Sequence, residues 1–326
     1  MPPRRRTGRK AFTALLPVVL LLAVAVVGLT VWLVYSATRP AHRAYLVTPE
    51  HFARLSDRGV KATEETWPNR DGTSARGWLV RGAEGSPGVV LYHRYGADRS
   101  WLLNLGVKIN EATNMTVLLP DLRAHGENPP VSASAFGASE GEDALAALDY
   151  LRGLRSPQGR ALVGDSLGLF GVEVGAYAAL SAASQDKSVR ALALDSVPDN
   201  PDVVLAAAVK DRSGLDNSAL KALARLGTRI YYSGRFKNTS ACTLAESLGD
   251  RHVLLLAGEG SGPLRQTTET LANCFPSRSN VEALTDLPFT GNTLASASPE
   301  QDEAYDRRLI EFFDRTLRLK AEVRSQ

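Results

Sequence analysis

Two short pieces of this chain could present a side chain for covalent chemistry. Gly164–Gly168 reads GDSLG and Gly171–Gly175 reads GVEVG. Either fits a sharp strand-to-helix turn, where small neighbours push the middle residue, Ser166 or Glu173, out beside the N–H groups of a helix start. A serine so placed attacks a carbonyl carbon only when a base takes its proton and an acid orients the base. A carboxylate could attack directly, but releasing the ester it forms still needs a base-activated water. Bases are scarce. The five histidines are His42, His51, His93, His125 and His252, and the chain beyond His252 has none. His93 opens HRYGADR, which carries Arg94, Tyr95 and Arg99, and His125 lies in DLRAHGEN. Glu173 at a helix N-terminus is favoured as the charged form by the macrodipole, with Arg94 and Arg99 as candidate partners. No histidines recur at metal-ligand spacing and no acidic cluster suggests a divalent site, so neither a metal nor another cofactor is expected.

Such a turn needs a sheet edge to stand on. Apolar runs with strand character cover residues 60–68, 75–82, 88–94, 116–122, 167–172, 189–196, 252–259 and 281–286. Helical patterns lie between them at 101–112, 141–154, 175–184, 264–275 and 300–323. This alternation predicts an α/β fold, a mostly parallel eight-stranded sheet with helices on both faces. Residues 200–250 break the rhythm with three helical patterns, which predicts a helical insertion above the C-terminal edge of the sheet. Placing the turn at Ser166 would leave only ALVG as its strand and send LGLFGVEVG into a helix, against two β-branched residues and three glycines. The pattern therefore favours GDS as a turn entering the strand and Glu173 as the elbow residue, with Ser166 as the alternative nucleophile.

The ordered trio YHRYGADRS, DLRAHGEN and GVEVGAYAAL resembles the α/β-hydrolase superfamily, in particular its serine aminopeptidase-like and prolyl-oligopeptidase-like branches. There the pieces read HGxxxxR, DxRGHG and GxSxGG. The resemblance covers roughly residues 45 to 320. It implies that His93, Arg94, Tyr95 and Arg99 form the oxyanion loop, that Val174 follows the nucleophile, and that His93 and His125 shape loops rather than act as bases. It also implies that the catalytic serine, aspartate and histidine positions hold Glu173, Ser261 and Asn292. The acid is expected after the strand HVLLLAGE, where the chain reads GSG, and the histidine in a Gly-His pair, where the chain has Gly291 and Asn292. Three coordinated replacements point to a pseudoenzyme. The alternative is an active ester or peptide hydrolase using Ser166, or Glu173 with His125.

Composition bounds the setting. With 326 residues and 44% hydrophobic content, the chain can bury one large core. The net charge of +3 owes much to MPPRRRTGRK at the start, which leaves no basic stripe for nucleic acid. Residues 11–38 carry no charge and, at ~1.5 Å per residue, can cross the ~30 Å hydrocarbon core. They exceed the apolar region of a cleaved signal peptide, the competing reading. The expected organisation is a cytoplasmic basic tail (1–10), a transmembrane helix (11–38), a juxtamembrane linker (39–56), the hydrolase-like domain (57–320) and a short tail (321–326). Arg4, Arg5, Arg6, Arg9 and Lys10 precede the span and only Arg39 and Arg43 closely follow it. The positive-inside rule then predicts a single-pass protein of the cell membrane with its folded domain outside. Cys242 and Cys274 would lie in that oxidising compartment, where a disulfide and two buried thiols both remain open. The expected partners are the bilayer, through residues 11–38, and a protein partner or small ligand in the degenerate pocket.

Overall fold

The computed structural model describes residues 5–41, 44–51, 62–291 and 298–318, with side chains from residue 15 onward. Eight strands are present: β1 (Ala62–Pro68), β2 (Ser74–Val80), β3 (Ser86–Tyr92), β4 (Thr116–Pro120), β5 (Val163–Val172), β6 (Val189–Asp195), β7 (His252–Gly258) and β8 (Val281–Leu287). They form one sheet in the order β1-β2-β4-β3-β5-β6-β7-β8. Only β2 runs against its neighbours, and every pairing from β4 to β8 is parallel. Parallel strands need crossovers, which the helices supply. Helices α2 (Leu103–Thr113) and α9 (Pro299–Arg318) cover one face. The other carries α3 (Glu140–Gly153), α4 (Val174–Gln185) and α8 (Leu264–Leu271). Alternation along β3 serves both layers: Val89 and Leu91 enter the α2/α9 core, Val90 and Tyr92 the opposite one.

Strand β5 starts earlier than the sequence pattern predicts. Gly164, Asp165 and Ser166 lie inside it rather than in a turn ahead of it, because the ladder to β3 slips: Ser86 pairs with Val163, but Gly88 pairs with Leu167. Two steps of β3 thus face four of β5, a bulge. Gly164 makes the close approach possible, since a Cβ there would stand 2.6 Å from the Gly85 carbonyl oxygen.

Between β6 and β7 rise α5 (Pro201–Ser213), α6 (Ser218–Tyr231) and α7 (Ala241–Ala245). Gly214, at φ 68°, ends α5 in the left-handed conformation, and the Asn217 side chain caps α6 by accepting from Ala219 and Leu220 N–H at 2.8 and 3.2 Å. The N-terminal helix α1 (Arg5–Thr38) contains, at Leu15–Thr38, a stretch of mean hydropathy 2.7 long enough to cross a membrane. Residues 15–29 are exposed, whereas Leu33, Val34, Ala37 and Thr38 are buried against the domain. The described part of the segment after α1 is likewise packed. Tyr45 donates its hydroxyl to Asp121 at 2.6 Å and Leu46 N–H bonds Ser100 Oγ at 3.0 Å.

Candidate functional site

Strand β5 ends at Val172, α4 begins at Val174, and Glu173 makes the whole connection with φ 52° and ψ −113°. That conformation is costly for a residue with a Cβ and is characteristic of a strained, functional turn. Its neighbours must be glycine. A Cβ on Gly171 would lie 2.2 Å from Gly175 O, and one on Gly175 would lie 2.5 Å from Tyr92 O. The elbow is therefore built as the G-x-x-x-G pattern predicts, but it displays a carboxylate. Glu173 Oε2 accepts the Tyr95 backbone N–H at 3.1 Å. Burial pushes the Glu173 carboxyl up to about 7, against the opposing pull of the Arg94 guanidinium and the Tyr95 N–H.

Around the elbow the strand ends converge on a residue that sequence reasoning did not single out. Asp195, fully buried at the end of β6, accepts the Gly291 N–H at 2.7 Å, the Ser196 hydroxyl at 2.7 Å and the Tyr305 hydroxyl. Ser261 Oγ sits 2.8 Å from Ser196 Oγ and accepts the Gly258 N–H at 3.0 Å. Since the Ser196 proton goes to Asp195, Ser261 must be the donor between the two serines. Glu173 N–H in turn donates to the Asp195 carbonyl at 2.9 Å. The Glu173 and Ser261 positions, together with Gly291, thus meet at one edge of the sheet, while Asn292 lies outside the described residues. Burial raises the Asp195 carboxyl and its three donors stabilise the charged form. The only sequence signal for it was an acid closing a strand that is apolar from Ala191 to Leu194.

A search of solved structures returns close folds. An esterase from Pyrococcus furiosus superposes with TM-score 0.62 at 19% identity, covering 86% of this chain and 98% of the esterase. A 2,6-dihydroxy-pseudo-oxynicotine hydrolase gives 0.57 at 14% identity, over 81% of this chain and 71% of that one. A dienelactone hydrolase from Anabaena variabilis gives 0.53 at 16% identity, over 79% of this chain and 99% of that one. The chain has the α/β-hydrolase fold. No protein-family model matches its sequence, and no curated protein does either. At these identities the likeness concerns the fold alone.

Within the α/β-hydrolase fold, the remaining expected site residues separate into scaffold and vestibule. His93 is buried with both ring nitrogens engaged. Nδ1 faces Arg94 O at 2.8 Å and Nε2 accepts the Leu122 N–H at 3.1 Å, so the ring is the neutral Nδ1–H tautomer. Burial lowers its pKa to about 4. His125 repeats the arrangement, with Nδ1 against Arg123 O at 2.8 Å and Nε2 accepting the Gly96 N–H at 3.0 Å. Its lone pair is thus spent on the loop that carries Tyr95. Arg99 does not partner Glu173, contrary to expectation. It is buried against Glu64 at 2.8 Å and Asp121 at 3.4 Å, with its guanidinium over the Trp78 ring at 4.4 Å. The reason is topological: the 3₁₀ turn at Arg99–Leu102 runs back toward β1, β2 and β4, away from the elbow. Arg94 remains the charge facing Glu173. Val174 is buried in the first turn of α4.

Ser166 lies elsewhere. It is at the start of β5, the opposite end from Glu173, in a cavity of about 110 Å³ shared with Asp250 and His252. Among the described residues no hydrogen bond joins Ser166 to His252. The cavity over Glu173 is larger, about 360 Å³, with charge from Arg94, Asp211 and Arg212 and with Pro40 and Ala41 at its rim. Arg212 donates to Arg39 O at 3.0 Å, and the Tyr95 hydroxyl donates to Ala37 O. One residue, Tyr95, therefore joins the elbow to the last turn of α1. Among the described residues no group of His, Cys, Asp and Glu could hold a metal ion.

Proposed function

We propose that this protein is a membrane-anchored, non-hydrolysing member of the α/β-hydrolase fold, which uses the vestibule over Glu173 to bind a small polar ligand or a partner segment, or to support an envelope assembly. The observation that carries this reading is the Glu173–Tyr95 contact. A backbone N–H of the loop that follows β3 is the kind of donor that would stabilise a developing oxyanion. Here it is occupied by the elbow's own carboxylate. The site has no serine at the elbow. Among the described residues, the ring nitrogens of His93 and His125, on the loops beside the elbow, are used by backbone groups. Ser261 and Asp195 are consumed in a buried network. The vestibule is still open and carries charge of both signs, which suits recognition more than bond cleavage.

The apolar helix at Leu15–Thr38 supports the membrane assignment. The five basic residues before it and two after it support a cytoplasmic N-terminus and an extracytoplasmic domain in the cell membrane. The test of the catalytic half is a panel of short-chain esters with purified protein and the Glu173→Ser variant. Both should stay at background, because a hydroxyl at residue 173 gains no positioned base. Robust turnover by either protein would reject the reading.

A further inference from the structure

The exposed large hydrophobic side chains of the described residues gather mostly on two helices that touch each other. Among the described residues, the large ones lie on α1, at Leu46, and at Leu215, Leu226, Ile230 and Tyr231 on or beside α6. Within α6, Ala219, Ala222, Leu226 and Ile230 recur at helical spacing and are all exposed. The opposite face, with Ala224, Gly227 and Thr228, is buried. The apolar sector of α6 is therefore wider than the face it buries.

The register of α6 against α1 locates the exposed part of that sector. Gly227 lets the helices touch, since a Cβ there would lie 2.6 Å from Thr30 Cγ2 and 2.7 Å from Val34 Cγ2. Thr30 is nineteen residues beyond Ala11, where the uncharged stretch begins, or about 29 Å along the axis, close to the ~30 Å thickness of the hydrocarbon core. The middle of α6 is therefore level with the outer part of the span. On α1 itself Trp32 and Tyr35 face outward at this height, and the Arg39 guanidinium lies over the Tyr35 ring at 4.1 Å. Arg225 and Arg229 flank the exposed stripe of α6, half out of the protein and leaning on Asp202 at 3.8 and 3.4 Å. Apolar side chains bordered by arginine are the composition of a helix lying in a headgroup boundary.

We infer that α6 is a second membrane contact: its Leu226/Ile230 face enters the leaflet from which α1 emerges, with Arg225 and Arg229 at the phosphates. The inference rests on α1 spanning the bilayer, and it makes the apolar surface of α6 continuous with that of α1. One consequence is that the vestibule over Glu173, rimmed by Pro40, Ala41 and α5, opens at the bilayer surface.

The test uses the full chain in phosphatidylcholine/phosphatidylglycerol nanodiscs, with one added cysteine at a time bearing an environment-sensitive fluorophore and the Cys242–Cys274 bridge left intact. Leu226→Cys and Ile230→Cys probe α6, Leu21→Cys probes the span, and Lys187→Cys, an exposed loop position preceding β6, serves as the aqueous control. The expected result is blue-shifted emission at 226, 230 and 21, quenched by lipids carrying a shallow nitroxide, with no shift at 187. Aqueous emission at 226 and 230 with lipid emission at 21 would overturn the inference and leave the span standing. Aqueous emission at 21 as well would overturn both. Blue-shifted emission at 226 and 230 that lipid nitroxide does not quench would reject the bilayer in favour of a second copy of the chain.

Discussion

At the scale of single residues, the decisive position is Glu173. Its carboxyl is held up to about 7 by burial, with Arg94 and the Tyr95 N–H opposing. A raised folded-state pKa means that the protonated form is the better fit. The associated stability is complete below the unfolded value near 4.5 and is lost as pH rises through about 7. Glu173→Gln keeps an oxygen for the Tyr95 N–H and removes the ionisation. The variant should therefore be more stable than the parent at about pH 8, by roughly 1–3 kcal/mol, and indistinguishable from it below about pH 5. Denaturant titrations at the two pH values check this, and a variant destabilised at the higher pH would show that the Arg94 attraction outweighs burial. The glycine-flanked turn at residue 173 was legible in the sequence, because glycine spacing is local. The partner of Arg99 was not, since Glu64 and Asp121 come from strands remote in sequence and meet it only once the sheet is assembled. Asp195 was not singled out in the sequence, because its three donors come from residues 196, 291 and 305.

At the scale of elements, the disulfide fastens the helical insertion to the rest of the fold. Cys242 in α7 and Cys274 after α8 are bridged with Cα atoms 5.2 Å apart, across a separation of 32 residues. Between the two readings left open by the sequence, the structure shows the bridge, with no free cysteine. Closing a loop of this length restricts the unfolded chain by about 3–4 kcal/mol. Replacing both cysteines with alanine should reduce unfolding free energy by that order, and a loss below about 1 kcal/mol would contradict the entropic account. The existence of all eight strands was predictable, most of them as apolar runs bounded by turn residues and β1, ATEETWP, from its Thr and Trp rather than from apolar content. What local pattern could not reveal was the bulge that draws Gly164–Ser166 into β5, which depends on Gly85 lying against Gly164. Nor could it show that the last turn of α1 is gripped by Tyr95, Ser134 and Arg212 through the backbone carbonyls of residues 37–39.

At the scale of the whole molecule, the proposed arrangement is a hydrolase-fold domain held against the membrane, with its elbow close to the emerging helix. Charge asymmetry about α1 predicts that a cysteine-free reporter fused after Gln326 is active outside the cytoplasm, and activity confined to the cytoplasm would reverse the orientation. The absence of hydrolysis is the central claim. The proposal rests on three placements: a carboxylate at the elbow, a loop N–H already occupied, and His93 and His125 engaged by backbone groups. Its most direct measurement is exposure of the unmodified, purified protein to a serine-directed fluorophosphonate, followed by mass spectrometry of the intact chain and its peptides. The expected result is no adduct above that on the denatured protein, because among the described residues no hydroxyl at the elbow has a positioned base. Stoichiometric labelling abolished by Ser166→Ala would contradict it and make Ser166, beside His252 and Asp250, the nucleophile of an active enzyme.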